Sequence, residues 1–197
     1  MGSLLLGTRN PGKLIEIESI LADSGWSFSS LQEFPSVGEA QEIFTTFAEN
    51  AIAKAQFYAL ATGLCALADD SGLEVAALGG APGVFSARYA GENATDADRR
   101  SLLLSALTGD DRRARFVAVV AIATPDGEIL NISEGICNGT ITFSPRGSNG
   151  FGYDPLFVPD GYSQTFAELP DTTKNHMSHC ARALSNTKLF LASCESC

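Results

Sequence analysis

Two neighbouring carboxylates follow a short apolar segment in the first half of the chain. Residues 64–68 are short, apolar and bounded by turn-forming residues, which predicts a buried strand. Asp69 and Asp70 come directly after it, and ligand sites in open α/β sheets lie beyond the carboxyl ends of strands. Two adjacent carboxylates repel each other unless a cation lies between them, and Mg²⁺ binds carboxylate and phosphate oxygens. The pair therefore indicates a magnesium–phosphate site, although an ordinary turn has the same composition.

A second candidate for phosphate binding lies near the start of the chain. Residues 4–7 read as a strand, residues 8–13 as a polar loop with a glycine and a lysine, and Leu14, Ile17 and Leu21 recur at helical spacing. Loop amides and a helix N-terminus that face one point favour an anion, and Lys13 adds a positive charge. The alternative is a plain connection between a strand and a helix.

The next helix could bring a further lysine to the two carboxylates. Thr46 and Glu49 have the spacing of a capping box, and the apolar positions that follow predict a helix that stops at Gly63. Asn50 and Lys54 are four residues apart and therefore share one helix face. That face is either simply solvated or directed at the carboxylates.

The second half of the chain predicts a hairpin, an aromatic loop and a last helix. Residues 116–123 read as a strand and residues 128–143 as one or two further strands after a turn, so we expect a mixed sheet. Phe151 lies between glycines and close to an acid, where its ring could stack on a nucleobase or simply pack at a turn. Residues 175–191 predict the last helix.

Composition narrows the class of protein. The 197 residues include 13 basic and 23 acidic side chains, for a net charge of −10, with 45% hydrophobic residues. These values indicate a globular protein and argue against nucleic-acid or anionic-membrane binding, both of which need a basic surface. The five scattered cysteines and the apparent lack of an export signal predict reduced thiols and a cytoplasmic location.

Six short motifs, in one order along nearly the whole chain, resemble the inosine triphosphate pyrophosphatase family, which hydrolyses dITP, ITP and XTP. The resemblance implies a single α/β domain over residues 1–197, with a mixed elongated central sheet flanked by helices and two lobes with a cleft between them. It also implies Mg²⁺, a homodimer, and release of monophosphate and pyrophosphate. The motifs are residues 8–13, 47–51 with Lys54, 68–73, 80–83 with 86–89, 151–155, and Lys174 with 178–179.

The same resemblance implies roles for individual residues. Asp70 corresponds to the acid that takes a proton from water and contacts Mg²⁺, with Asp69 and Glu42 as acidic companions at the metal. Contacts to the nucleotide are implied for two runs of residues and several single positions. They are Thr8, Arg9, Asn10, Pro11, Gly12, Lys13, Lys54, Ser71, Phe151, Gly152, Tyr153, Asp154, Lys174, His179 and Cys180.

One position departs from the family pattern, and two other functions stay open. The family usually has arginine after Ser-His, whereas this chain has Cys180, and its next arginine is Arg182. A nucleotide-binding protein without catalysis is one alternative. A zinc module is the other, because two histidines and three cysteines lie near the end of the chain as His176, His179, Cys180, Cys194 and Cys197.

Overall fold

The computed structural model describes residues 2–194. The chain forms two compact units. Within the described range, the first contains residues 2–70, 118–135 and 180–194, and the second contains residues 71–117 and 136–179. Each unit has its own hydrophobic core.

The described residues form one six-stranded sheet with strand order β2-β1-β3-β4-β5-β6. The strands are β1 (Ser3–Leu6), β2 (Ser27–Ser30), β3 (Ala66–Val75), β4 (Arg113–Ala123), β5 (Ile129–Ile141) and β6 (Phe157–Pro159). The helices are α1 (Pro11–Leu21), α2 (Phe47–Thr62), α3 (Asp96–Ala106), α4 (Asp171–Met177) and α5 (His179–Ser193), and short 3₁₀ segments include Gly83–Arg88 and Asp154–Leu156. Strand β1 pairs in parallel with β2 and β3, whereas β5 and β6 are antiparallel. The predicted mixed α/β fold is therefore confirmed.

Chain connectivity places α1 and α2 on opposite faces of the sheet. Helix α1 leads from β1 to β2, and α2 leads from β2 past β1 to β3, so the two crossovers run in opposite directions across the sheet. Both connect parallel strands, and such crossovers are right-handed in nearly all proteins. Two right-handed crossovers in opposite directions must cover opposite faces. Side chains that alternate along β3 therefore meet different helices.

The core of the first unit follows this alternation. Leu4, Leu6 and Leu67 are buried with Ile17 of α1 and with residues of α5 such as Leu184. The other face receives α2. There the Tyr58 ring approaches Gly7 so closely that a Cβ at Gly7 would lie 2.7 Å from a ring carbon.

Aromatic rings form much of the core of the second unit. Phe116 of β4 packs edge-on against Phe157 at a centroid distance of 4.7 Å and stacks on Phe166 at 5.9 Å. The His179 ring lies nearly parallel to Phe116, with centroids 4.6 Å apart. The start of α5 is therefore anchored on β4.

Several element boundaries differ from those predicted. Strand β3 continues to Val75, so the two acids lie inside the strand instead of after it. The last helix is divided at Ser178, whose ψ of 160° is extended, into α4 and α5. Sequence spacing does not show such a break, because Ser178 interrupts neither the polar nor the apolar pattern.

The prediction that all five cysteines are reduced is wrong at Cys65, which is part of a disulfide bond. Cys137, Cys180 and Cys194 carry thiols, whereas Cys197 lies outside the described residues. Spacing alone does not reveal which cysteines meet in the fold. Within residues 2–194, no helix is both long and apolar enough to cross a membrane.

Candidate active site

The loop between β1 and α1 is a capped helix start. The Asn10 side-chain oxygen accepts hydrogen bonds from the backbone N–H groups of Gly12 at 2.9 Å and Lys13 at 3.2 Å. The Asn10 N–H in turn donates to the Thr8 hydroxyl, and Arg9 donates to the Val37 carbonyl at 2.7 Å. The amides of Gly12 and Lys13 are thus satisfied by Asn10, while the start of α1 keeps the partial positive charge of a helix N-terminus, which favours an anion.

Lys13 is directed at the first acid of the pair. Its Nζ lies 2.6 Å from Asp69 Oδ2, and both side chains are largely buried. Burial alone would lower the pKa of Lys13, but the Asp69 carboxylate more than offsets it and the pKa is raised. Lys13 therefore carries its positive charge throughout the physiological pH range.

The second acid meets helix α2. Asn50 Nδ2 donates to Asp70 Oδ2 at 3.0 Å, and Lys54 Nζ lies 3.6 Å from Asp70 Oδ1. Lys54 also donates to Glu42 Oε1 at 2.7 Å. Glu42, which sequence spacing could not place, therefore shares a cation with Asp70. Two carboxylates that converge on one ammonium group could also bind a hard metal ion through their oxygens.

Asp70 is poised to exchange a proton near neutral pH. It is only 5% exposed, and burial, the largest influence, raises its pKa to about 6. The charge of Glu42 also raises the pKa, whereas Lys54 and the Asn50 hydrogen bond oppose the shift. A general base works best when its pKa lies close to the working pH. Asp70 therefore has the properties of a proton acceptor.

The two neighbouring acids serve different faces of the sheet. Asp69 meets Lys13 of α1, while Asp70 meets Asn50 and Lys54 of α2. In the part of the chain that the structure describes, no three His, Cys, Asp or Glu side chains are grouped closely enough to hold a metal. Asp69 as a metal ligand stays a prediction, as does the zinc alternative, which includes a cysteine outside the described residues.

Asp154 holds the aromatic loop of the second unit, residues 150–153, through hydrogen bonds. Its Oδ2 accepts hydrogen bonds from the Phe151 N–H at 2.9 Å and from Lys174 Nζ at 2.6 Å. Burial raises the pKa of Asp154, and the ammonium of Lys174 opposes this shift. Lys174 Nζ also lies 5.1 Å from the centroid of the Phe151 ring, which is 47% exposed. Phe151 thus has an accessible ring that lies next to the Lys174–Asp154 ion pair.

The remaining predicted residues lie around these two sets. Tyr153 is buried and donates its hydroxyl to the Ser86 carbonyl at 3.0 Å, and its contact with the nucleotide stays a prediction. Ser71 is half-buried in β3. His179 stacks on Phe116, and Cys180 lines a small cavity of the first unit together with Lys13 and Asp69.

Comparison with known proteins identifies the family of this chain. The profile of the Ham1 family matches residues 4–190. The chain belongs to the Ham1 family. A dITP/XTP pyrophosphatase of Desulforamulus reducens is 51% identical over 184 residues, which cover 92% of this chain and 91% of that protein.

Solved structures agree as well. A HAM1 protein of Coxiella burnetii has a TM-score of 0.92 at 45% identity, covering 98% of this chain and all of the other. The Staphylococcus aureus Ham1 protein has a TM-score of 0.88 at 38% identity, covering 97% and 98%. The resemblance that the six motifs indicated is confirmed.

Within this Ham1 chain, the spacing of Asn50 predicted one contact of the site, and two further residues were not identified from the sequence. Asn50 holds Asp70, and its spacing of four from Lys54 was the available signal. Asp96 and Arg100 of α3 bond the backbone of Gly152. No local signal marks them, because the contact joins segments more than fifty residues apart in the sequence.

Proposed function

We propose that this chain hydrolyses the non-standard purine nucleoside triphosphates dITP, ITP and XTP to the monophosphate and pyrophosphate. The observation that carries the proposal is Asp70, a buried carboxyl with a pKa of about 6 held by Asn50 and Lys54. Its setting is a chain that is 51% identical to a dITP/XTP pyrophosphatase. Asp70 accepts a proton from the water that attacks the α-phosphorus.

The first unit supplies the groups for the triphosphate. The ammonium groups of Lys13 and Lys54 offer hydrogen bonds and positive charge to phosphate oxygens, and the N-terminal end of α1 adds its partial positive charge. Arg9, Asn10, Pro11 and Thr8 shape the loop that carries them. Phosphoryl transfer depends mainly on such positioning and charge stabilisation. Asp69 holds Lys13 at 2.6 Å and so helps to aim it.

Magnesium fits the carboxylates of Asp70 and Glu42. Both converge on the Lys54 ammonium, at 3.6 and 2.7 Å, and hence already form a binding place for a cation. Mg²⁺ characteristically takes one or two carboxylates and leaves its other positions to water and phosphate. When bound, it supplies charge neutralisation for the triphosphate and the leaving pyrophosphate.

The second unit supplies the groups for the purine. The exposed ring of Phe151 offers a stacking surface, and Lys174 and His179 supply polar groups near it or on the neighbouring segments, while Gly152 carries the turn beside the ring. Inosine and xanthosine carry a carbonyl at position 6, whereas adenine carries an amino group. Buried donors that are left without acceptors opposite adenine lower its binding, so donors at this position select against ATP.

A panel of nucleoside triphosphates tests the proposal. With Mg²⁺, purified protein should release pyrophosphate from dITP, ITP and XTP with a kcat/KM at least about tenfold above that for ATP. Asp70→Asn should remove this activity. Nucleotide binding without pyrophosphate release would show a binding protein instead. Equal rates with ATP would refute the substrate class.

A homodimer and a cytoplasmic location complete the proposal. Sedimentation measures the first, and fractionation of cells measures the second. The proposal includes neither a nucleic acid nor a membrane as a partner, since the net charge of −10 disfavours binding to polyanionic surfaces.

A further inference from the structure

Helix α3 holds the aromatic loop at both polar groups of one residue. The Gly152 N–H donates to Asp96 Oδ2 at 2.7 Å, and the Gly152 carbonyl accepts from Arg100 Nη1 at 2.7 Å. Asp96 and Arg100 are four residues apart and therefore project from the same side of the helix. One helix face thus offers an acceptor and a donor that match the two backbone groups of Gly152.

The position of Gly152 next to Phe151 means that this contact affects the orientation of the Phe151 ring. Its φ of +57° lies in the left-handed region, which favours glycine. The preceding residue is the half-exposed Phe151, and the following one is the buried Tyr153. Fixing both polar groups of Gly152 restricts the backbone between the two rings. The direction of the Phe151 ring is therefore set by α3 on one side and by Asp154 on the other.

The start of α3 is itself firmly held. The hydroxyl of Thr95 and the carboxylate of Asp98 form a capping box. Arg99 pairs with Asp96 and donates to the backbone carbonyls of Ala87 at 2.9 Å and Ala94 at 2.7 Å. Asp96 is thus braced by a neighbouring cation while it accepts from Gly152.

We propose that Asp96 and Arg100 are positioning residues for purine recognition, because they fix Gly152 and so hold Phe151 in the orientation that stacks on the base. Neither residue belongs to the motifs that carry the family resemblance. The inference rests on the proposed function, since it names the residues that prepare the purine side of the same site. It predicts that their loss weakens the binding of the base and leaves the binding of phosphates unchanged.

Single substitutions compared with matched controls test the proposal. Asp96→Ala and Arg100→Ala should each raise the KM for dITP about tenfold, since hydrogen bonds to charged groups are among the stronger ones, with kcat within about twofold. The inhibition constant of inorganic tripolyphosphate, which has no base, should stay within about twofold. Asp96→Asn retains an acceptor oxygen and should recover most of the KM.

Two controls separate this effect from damage to the helix. Ser105→Ala removes a side-chain hydrogen bond within α3 without touching Gly152, and Arg113→Ala removes an exposed arginine elsewhere in the second unit. Both should leave the KM for dITP within about twofold. A parallel rise of the KM and of the tripolyphosphate constant in the Asp96 and Arg100 variants would refute the proposal.

Amide exchange gives a readout that does not depend on turnover. Without nucleotide, the Gly152 amide should exchange at least about tenfold faster in Asp96→Ala than in the wild type, because its hydrogen bond is lost. Unchanged exchange would overturn the inferred contact. Faster exchange with an unchanged KM would overturn its role in recognition. Absence of dITP turnover in the wild type would instead refute the proposed function.

Discussion

Replacing Asp70 with asparagine should make the ligand-free protein more stable at neutral pH while it removes turnover. Asp70 is 5% exposed, and burial is the main cause that raises its pKa from 3.8 to about 6. A pKa difference of about 2, at about 1.4 kcal/mol for each unit, amounts to about 3 kcal/mol. That value is the upper limit of the free energy that the folded protein loses by keeping this carboxylate charged.

The direction in which stability changes with pH follows from proton binding. The folded carboxyl binds its proton more tightly than the unfolded one, so the stability of the wild type falls as pH rises from about 4 to about 6 and stays lower above that range. Asparagine does not titrate. The stability difference between variant and wild type should therefore grow in favour of the variant by about 2–3 kcal/mol between about pH 4 and pH 7. The amide oxygen can still accept the hydrogen bond from Asn50.

Urea unfolding in a chelator, at several pH values, measures this difference, and pyrophosphate release with Mg²⁺ measures turnover. Turnover should fall by at least about 10²-fold, the range for loss of a general base. Asp69→Asn is the matched control, because Asp69 is equally buried but pairs with Lys13 at 2.6 Å. It should lose stability at neutral pH, since a buried ammonium is left without its carboxylate. A pH-independent difference for Asp70→Asn would refute the reasoning about its pKa.

Three further predictions concern the reaction and its two sets of residues. Because Asp70 must be ionised to accept a proton, kcat/KM should fall about tenfold for each pH unit below about 6, and a profile flat to about pH 5 would contradict its role. Lys13→Ala should raise the KM for dITP and GTP by the same factor, about tenfold, and a changed ratio between them would show that Lys13 reads the base. Gly150→Ala should lower stability by about 1–3 kcal/mol in urea unfolding, because φ at Gly150 is +72° and a Cβ there would overlap the Asp154 carboxylate; unchanged stability would show that the loop can move aside.

Local signals were sufficient where they agreed with the tertiary structure. Thr46 caps α2 by accepting from the Glu49 N–H, and Gly63 ends that helix with a φ of +69°. Both ends were evident from the sequence. The sequence predicts that the strand ends at residue 68, because Asp, Ser and Gly at 69–72 favour a turn, whereas β3 continues to Val75. Pairing within the sheet overrides that preference.

Contacts between distant segments set the limit of the sequence analysis. The pairing of Lys13 with Asp69, and that of Lys174 with Asp154, joins residues whose distance in space depends on the whole fold. Lys174 illustrates the consequence. The resemblance implied only that it contacts the nucleotide, and the structure adds that its ammonium lies 5.1 Å from the centroid of the Phe151 ring. The motif included the residue but did not predict its neighbours.

The different surroundings of the two adjacent acids, which underlie the roles proposed for them, follow from the geometry of a strand. Because Asp69 and Asp70 lie within β3, their side chains alternate between the faces that α1 and α2 cover. Asp69 therefore pairs with Lys13 of α1 and keeps that ammonium protonated, while Asp70 is surrounded by Asn50, Lys54 and Glu42. A carboxylate that must stabilise a cation benefits from a close partner, whereas one that must accept a proton needs a raised pKa. Separate faces allow the two neighbours to satisfy these opposite requirements.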